Sequence, residues 1–297
     1  MKQSQASISH SDSNRTGVII ALFAVYLSWS STYIAIKFAL ESLPPLFMMG
    51  IRFFVFGLGM YFWLLRRGER PPTLREWAWS AVIGTFLMLG GSAGVAYAEQ
   101  WVASGLAALV IATTPLWTVL FALIWKHRPN RIEWLGLGIG FSGIVLLNLG
   151  GDLRAQPLGA ALLVLAAMSW AFGSAWSRHL PLPRGMMGGA AQMVAGGAIV
   201  MIVGFLLGER VSAMPSTQSI LAVIYLGIVG SLIGFNAYTY LLGKVRPSLA
   251  TSYAYVNPAL ALLLGLWLGN EKIGMLEVWA MGIILLGVVL VGMGQRK

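Results

Sequence analysis

Ten stretches of this chain stay apolar for about 20 residues at a time, the length a helix needs to cross the hydrocarbon core of a bilayer. They cover residues 17–40, 44–65, 77–98, 101–125, 132–150, 157–178, 186–208, 218–242, 247–268 and 275–294. Inside lipid a backbone amide has no water to bond, so a spanning segment is either a helix or a strand of a closed barrel. Barrel strands are short and alternate in polarity. These runs are long and continuous, so the chain reads as an all-α membrane protein with ten transmembrane helices. Charged residues make up 10 % of it, against roughly a quarter in a soluble domain, which excludes a water-soluble fold. The net charge of +10 sits in short loops between apolar spans, so the expected partner is the lipid bilayer and not nucleic acid. With no Cys there is neither a disulfide framework nor a thiolate metal site. Residues 1–16 are polar and are expected to be a disordered cytoplasmic segment. The first apolar run is too long for the core of a cleaved leader.

The loops carry cations on one side of that pattern. Lys2, Arg15, Arg66, Arg67, Arg70, Arg75, Lys126, Arg128, Arg131, Arg178, Arg184, Lys244, Arg246, Arg296 and Lys297 fall on one set of segments, and Arg154, Arg210 and Lys272 on the other. Positive loops stay inside, so both termini are expected in the cytoplasm. Trp63, Trp77, Trp79, Trp125, Trp134, Trp267 and Trp279 lie near span ends and read as interfacial anchors.

The chain also repeats itself. LSWSSTYIAIK (27–37) and MSWAFGSAWSR (168–178) share Ser-Trp and a cation eight residues after the Trp. At an offset of 143, Gly84, Gly91, Tyr97 and Pro115 meet Gly227, Gly234, Tyr240 and Pro258, and after one inserted residue Gly138, Gly143 and Gly150 meet Gly282, Gly287 and Gly294. An ordered series of this kind marks two copies of one unit, 17–150 and 157–294. Five spans is an odd number, so the second copy runs through the membrane inverted. The loop charges agree: KHRPNR (126–131) is strongly basic, and its counterpart GNEKIG (269–274) is not. Inverted repeats are a recurrent plan of secondary transporters, with the substrate near midplane between the halves.

Two five-helix halves, cytoplasmic termini and a mid-helix proline in the fourth span of each half resemble the drug/metabolite transporter superfamily, EamA type. Within it the chain is most similar to the YddG-type exporters of aromatic amino acids. The resemblance covers 17–294. It implies a plasma-membrane exporter, in a bacterium the inner membrane, for amino acids such as Phe, Trp and Tyr, other apolar ones and similar small metabolites. It further implies alternating access around a central cavity lined by spans 1, 3, 4, 6, 8 and 9, with no cofactor and a monomeric state.

Residue chemistry supplies candidates for that cavity. Only central positions keep their depth when a repeat is inverted, and Trp29, Trp170, Pro115 and Pro258 are central. Tyr33 and Lys37 follow Trp29 at i+4 and i+8 on one helix face, as Ser174 and Arg178 follow Trp170. An aromatic floor with a cation at each mouth suits a small apolar carboxylate, whereas packing tryptophans and snorkelling cations are the plainer alternative. Pro115 and Pro258 free the carbonyls of Ile111 and Ala254, which either face a cavity or are satisfied by neighbouring helices. Thr114 and Asn257 precede these prolines, and Tyr253, Tyr97 and Tyr240 add polar rings. Arg52 is the one ionisable group deep in a span, either functional or paired with Glu41 or Glu99.

A carrier for another metabolite or drug shares this plan. A membrane-embedded enzyme would need clustered His, Asp, Glu or Ser, but His10, His127 and His179 lie outside the span interiors and so do all the acids. A proton-driven relay would use acids within spans. Glu99, at the turn between spans 3 and 4, is the one plausible exception, so a facilitator is expected.

Overall fold

The computed structural model describes residues 2–126, 128–149, 156–245, 253–272 and 274–294. Ten helices follow one another among them, and no strand occurs there. Helix α1 runs Lys2–Leu40, so its backbone is helical through the polar stretch before its apolar part, Thr16–Leu40. Next come α2 (Pro45–Arg66), α3 (Leu74–Ala98), α4 (Ser104–Trp125), α5 (Arg131–Leu149), α6 (Pro157–Ser177) and α7 (Gly185–Leu206). Helix α8 starts as Thr217–Tyr225 and ends as Asn236–Lys244; α9 (Tyr253–Leu268) and α10 (Met275–Gly294) close the chain. Eight of these are long and apolar enough to cross a membrane; α5 has 19 residues, and the apolar part of α9 is the shorter Val256–Leu268. The start of the ninth run, 247–252, lies outside the described residues.

Lipid gives no hydrophobic drive for helix association, so close packing must hold the bundle, and small residues permit it. Helix α2 packs mainly on α7 and α5 on α10, each pair joining one repeat to the other. A Cβ added at Gly197 would stand 2.5 Å from the Phe54 amide nitrogen and 2.9 Å from the Gly50 carbonyl, both backbone atoms of α2. At the other crossing, a Cβ on Gly136 would meet the Gly287 carbonyl at 2.7 Å. Between these flanking pairs lie α1, α3, α4, α6, α8 and α9, and the contacts obey the internal symmetry: α1 packs on α8 and α9 as α6 packs on α3 and α4.

Both third helices are widened at equivalent places. Thr85–Ala93 in α3 and Leu226–Phe235 in α8 are π-helical. Such i→i+5 turns are uncommon and concentrate at functional sites. Each segment is rich in glycine, which weakens the preference for a tight α-helix, and each receives a tryptophan from the opposite repeat.

Candidate functional site

Trp29 of α1 docks on Gly234 of α8, and Trp170 of α6 docks on Gly91 of α3. A Cβ at Gly234 would stand 2.6 Å from Trp29 Nε1, and one at Gly91 2.8 Å from Trp170 Cε3. Trp29 Nε1 donates to the Gly230 carbonyl (3.2 Å), and the neighbour of the other Trp, Ser169, donates through Oγ to the Phe86 carbonyl (2.8 Å). Both carbonyls belong to the π segments, whose altered bonding leaves them open to side chains. The repeated Ser-Trp pair is therefore a reciprocal clasp between the repeats.

The two indoles meet edge to face at 6.2 Å, and Trp29 also packs on Tyr238 (5.1 Å) and Tyr253 (4.7 Å). This aromatic group borders a cavity of about 120 Å³ in the middle of the molecule. Of the residues picked out from the sequence, Trp29, Tyr33, Thr114, Trp170, Tyr253 and Asn257 line it. Thr114 and Asn257 are repeat partners at the 143 offset and face the same space. Ser30 donates to Asn257 Oδ1 at 3.0 Å, which fixes the amide oxygen inward from α1. The walls come from α1, α3, α4, α6, α8 and α9 and in addition from α2, through Met49, Arg52 and Phe53, and α7, through Met193.

The remaining candidates stand elsewhere. Tyr97 lines a separate recess with Glu209 and Arg210 and rests on Trp101 at 5.6 Å. Tyr240 is 38 % exposed and lies against Gly17. Pro115, Ser174 and Pro258 are on α4, α6 and α9 without lining the cavity. The carbonyl of Ile111, freed by Pro115, accepts from the Thr114 hydroxyl at 2.6 Å, so it is satisfied within its own helix. Lys37 donates to the Gly269 carbonyl (2.7 Å) and pairs with Glu271 (3.1 Å).

Arg52 has neither of the partners the sequence suggested. Its Nε donates to Ser231 Oγ at 3.0 Å and its guanidinium lies 4.8 Å from the centroid of Phe53, while Glu41 accepts from Gln218. Tyr238 and Ser231, both on α8, were not picked out: their repeat counterparts are Val95 and Met88, so the offset gave no polar signal.

Two loops are fastened to helix starts by carboxylates. Glu271, in the α9–α10 loop, accepts from the Ser104 amide (2.9 Å), the Ser104 hydroxyl (2.8 Å) and the Gly105 amide (3.1 Å) at the start of α4. Burial works to raise this carboxyl, but those donors and Lys37 hold it below its usual value. Glu209 caps α2 in the same way, accepting from the amides of Leu46 (3.2 Å) and Phe47 (2.8 Å).

Comparison with known proteins adds four findings. The EamA-like transporter family matches residues 16–149 and 157–293. An uncharacterized inner membrane transporter, YedA, of Escherichia coli (strain K12) is 46 % identical over 276 residues, covering 93 % of this chain and 90 % of that one. A probable amino-acid metabolite efflux pump of Salmonella typhimurium (strain LT2) is 25 % identical over 301 residues, covering 95 % and 97 %. A solved crystal structure of a protein 23 % identical in sequence has the same fold, with a TM-score of 0.67 over 94 % of this chain and 99 % of that one.

Proposed function

The chain belongs to the EamA-like transporter family, and on that premise we propose that it exports amino acids, aromatic ones such as Phe, Trp and Tyr and other apolar ones, together with similar small metabolites. It is a multi-pass transporter of the plasma membrane. The observation that carries the substrate reading is the aromatic group at the join of the repeats: Trp29, Trp170 and Tyr253 border the central cavity. Ring faces and edges offer an apolar side chain a dry surface with specific geometry, and the cavity sits at the symmetry element where alternating access needs it. The similarity to a probable amino-acid metabolite efflux pump supports the same substrate class.

In proteoliposomes, Trp29→Ala and Trp170→Ala are expected to slow Phe efflux roughly ten- to hundredfold, the worth of the apolar surface each indole buries against a ligand. Monodisperse purified protein should be retained, because both side chains are only half-buried. Wild-type rates in both variants would assign the indoles to packing alone.

We place all ten helices across the membrane with both termini in the cytoplasm, following the loop charges. The chain has no native Cys, so single cysteines report topology directly. In intact cells a membrane-impermeant thiol reagent is expected to label Ser212→Cys and Lys272→Cys and to miss Glu69→Cys and Arg128→Cys, four exposed positions. Labelling of both pairs from outside would rule out the ten-span inverted arrangement.

A further inference from the structure

We propose that Arg52 is the binding site for the substrate's anionic group, so that one carboxylate on an apolar body is the obligatory recognition element and the amine is optional. The inference rests on reading the central cavity as the transport site. Arg52 lines that cavity and is 6 % exposed. A guanidinium stays charged in any protein environment and carries five N–H donors in a rigid fork. Here Nε bonds Ser231, Nη1 points at the Met49 thioether at 3.6 Å, a weak acceptor, and the plane lies near the Phe53 ring.

No carboxylate among the described residues compensates this charge. The ion pairs among the described residues are Lys37–Glu271 and Arg70–Glu76, and no Asp or Glu lines the cavity. A buried cation without a counter-ion is strongly unfavourable and within a membrane marks a pathway or ligand site. Nη2 packs against α8 at Gly230, where an added Cβ would stand 2.6 Å away, so only a glycine lets the guanidinium reach this position beside the cavity. Two parallel N–H donors are the geometry that grips a carboxylate.

The same inventory sets the substrate's charge. Among the described residues Arg52 is the single cation lining the cavity, which fits a monoanion better than a phosphate dianion, whose recognition uses several cations. An amine entering there meets ring faces and neutral oxygens such as Asn257 Oδ1, with no acid to demand it.

The test uses wild-type protein in liposomes with labelled Phe, and calorimetric titration of the purified protein. 3-Phenylpropionate, which keeps the carboxylate and lacks the amine, is expected to bind and compete within about threefold of Phe. Phenylethylamine and phenylalanine amide, which lack the carboxylate, are expected to be about ten- to hundredfold weaker, the worth of a charge-assisted hydrogen bond. Arg52→Gln should abolish that preference, and Arg52→Lys, which keeps the charge without the fork, should restore part of it. If Arg52→Gln does not fold, the wild-type ligand series decides alone. Efflux of Phe with equal affinity for its amide would overturn the role of Arg52 and leave amino-acid export standing. Transport of phenylpropionate without Phe would do the reverse. No saturable binding of any anion would overturn the site.

Discussion

Glu271→Gln is expected to open the cavity toward the side of the α3–α4 and α9–α10 loops, read as modification of a cysteine at position 36, on the cavity wall, at least tenfold faster than in the Glu271 parent. The carboxylate is nearly enclosed, with 5 % of its side chain exposed, and gathers donors from α4 and α1 together. Ser104 and Gly105 begin α4, where free amides and the helix dipole favour a negative charge. Removing that charge weakens several charge-assisted bonds, each worth about 1.5–3 kcal/mol when lost from a buried site. The Lys37 contribution is the smaller share, because its side chain is 38 % exposed and screened by solvent. A net loss of roughly 3 kcal/mol shifts a two-state equilibrium by about a hundredfold, which leaves the tenfold criterion well inside the expected range. The carboxyl is held below its usual value, so its contribution is present above the unfolded pKa and lost as pH falls through the folded one. At neutral pH the fastening is fully engaged, and opening on acidification belongs below the ordinary carboxylate range. Equal modification rates in variant and parent would remove Glu271 from any gating role.

The second large effect concerns Glu99, between α3 and α4. It is 8 % exposed, and neither carboxylate oxygen has a hydrogen-bond partner among the described residues. Burial first and the Glu271 charge second push its carboxyl well above the usual range, with Lys37 pulling back. The folded chain therefore binds a proton that the unfolded chain has released across the interval between the two values, and stability falls as pH rises through it. The thermal midpoint of purified wild-type protein is expected to decline as pH rises above the ordinary carboxylate range. Glu99→Gln, which imitates the neutral acid, should flatten that decline and match or exceed the wild type at pH 8. A variant that keeps the wild-type slope would show that Glu99 ionises freely. The sequence pointed to Glu99 as the one acid able to complicate a facilitator, and its buried, unpartnered oxygens single it out again.

Much of the helical architecture was legible because lipid makes it so: apolar length fixes helix length. The 143 offset exposed Gly91, Gly234, Thr114 and Asn257 as equivalent positions. It did not reveal that each Trp lands on the other repeat's glycine, because an offset compares copies and says nothing of how they dock. The π segments carried no recognisable signal, since glycine-rich runs are common throughout the chain. Polarity selected Tyr97 and Tyr240 as readily as Tyr253, but polarity does not determine which face of a helix looks inward, and one of these tyrosines lies 38 % exposed on α8. Arg52 was noticed for its charge. Its lack of an acidic partner depends on helix rotation, which places Glu41 beside Gln218 and Glu99 near Lys37 and Glu271.

The pairing of α5 with α10 has a consequence for how the protein is made. Helix α5 finds its main partner in the last helix of the chain. At ribosomal rates it emerges on the order of ten seconds before α10 does. During that interval Gly136 and its neighbours, which later touch the α10 backbone, face lipid or the insertion machinery. Helix α2 waits likewise for α7. Assembly of this bundle is thus gated by the synthesis of α10, and a chain stalled before that helix is left with an unmatched glycine seam.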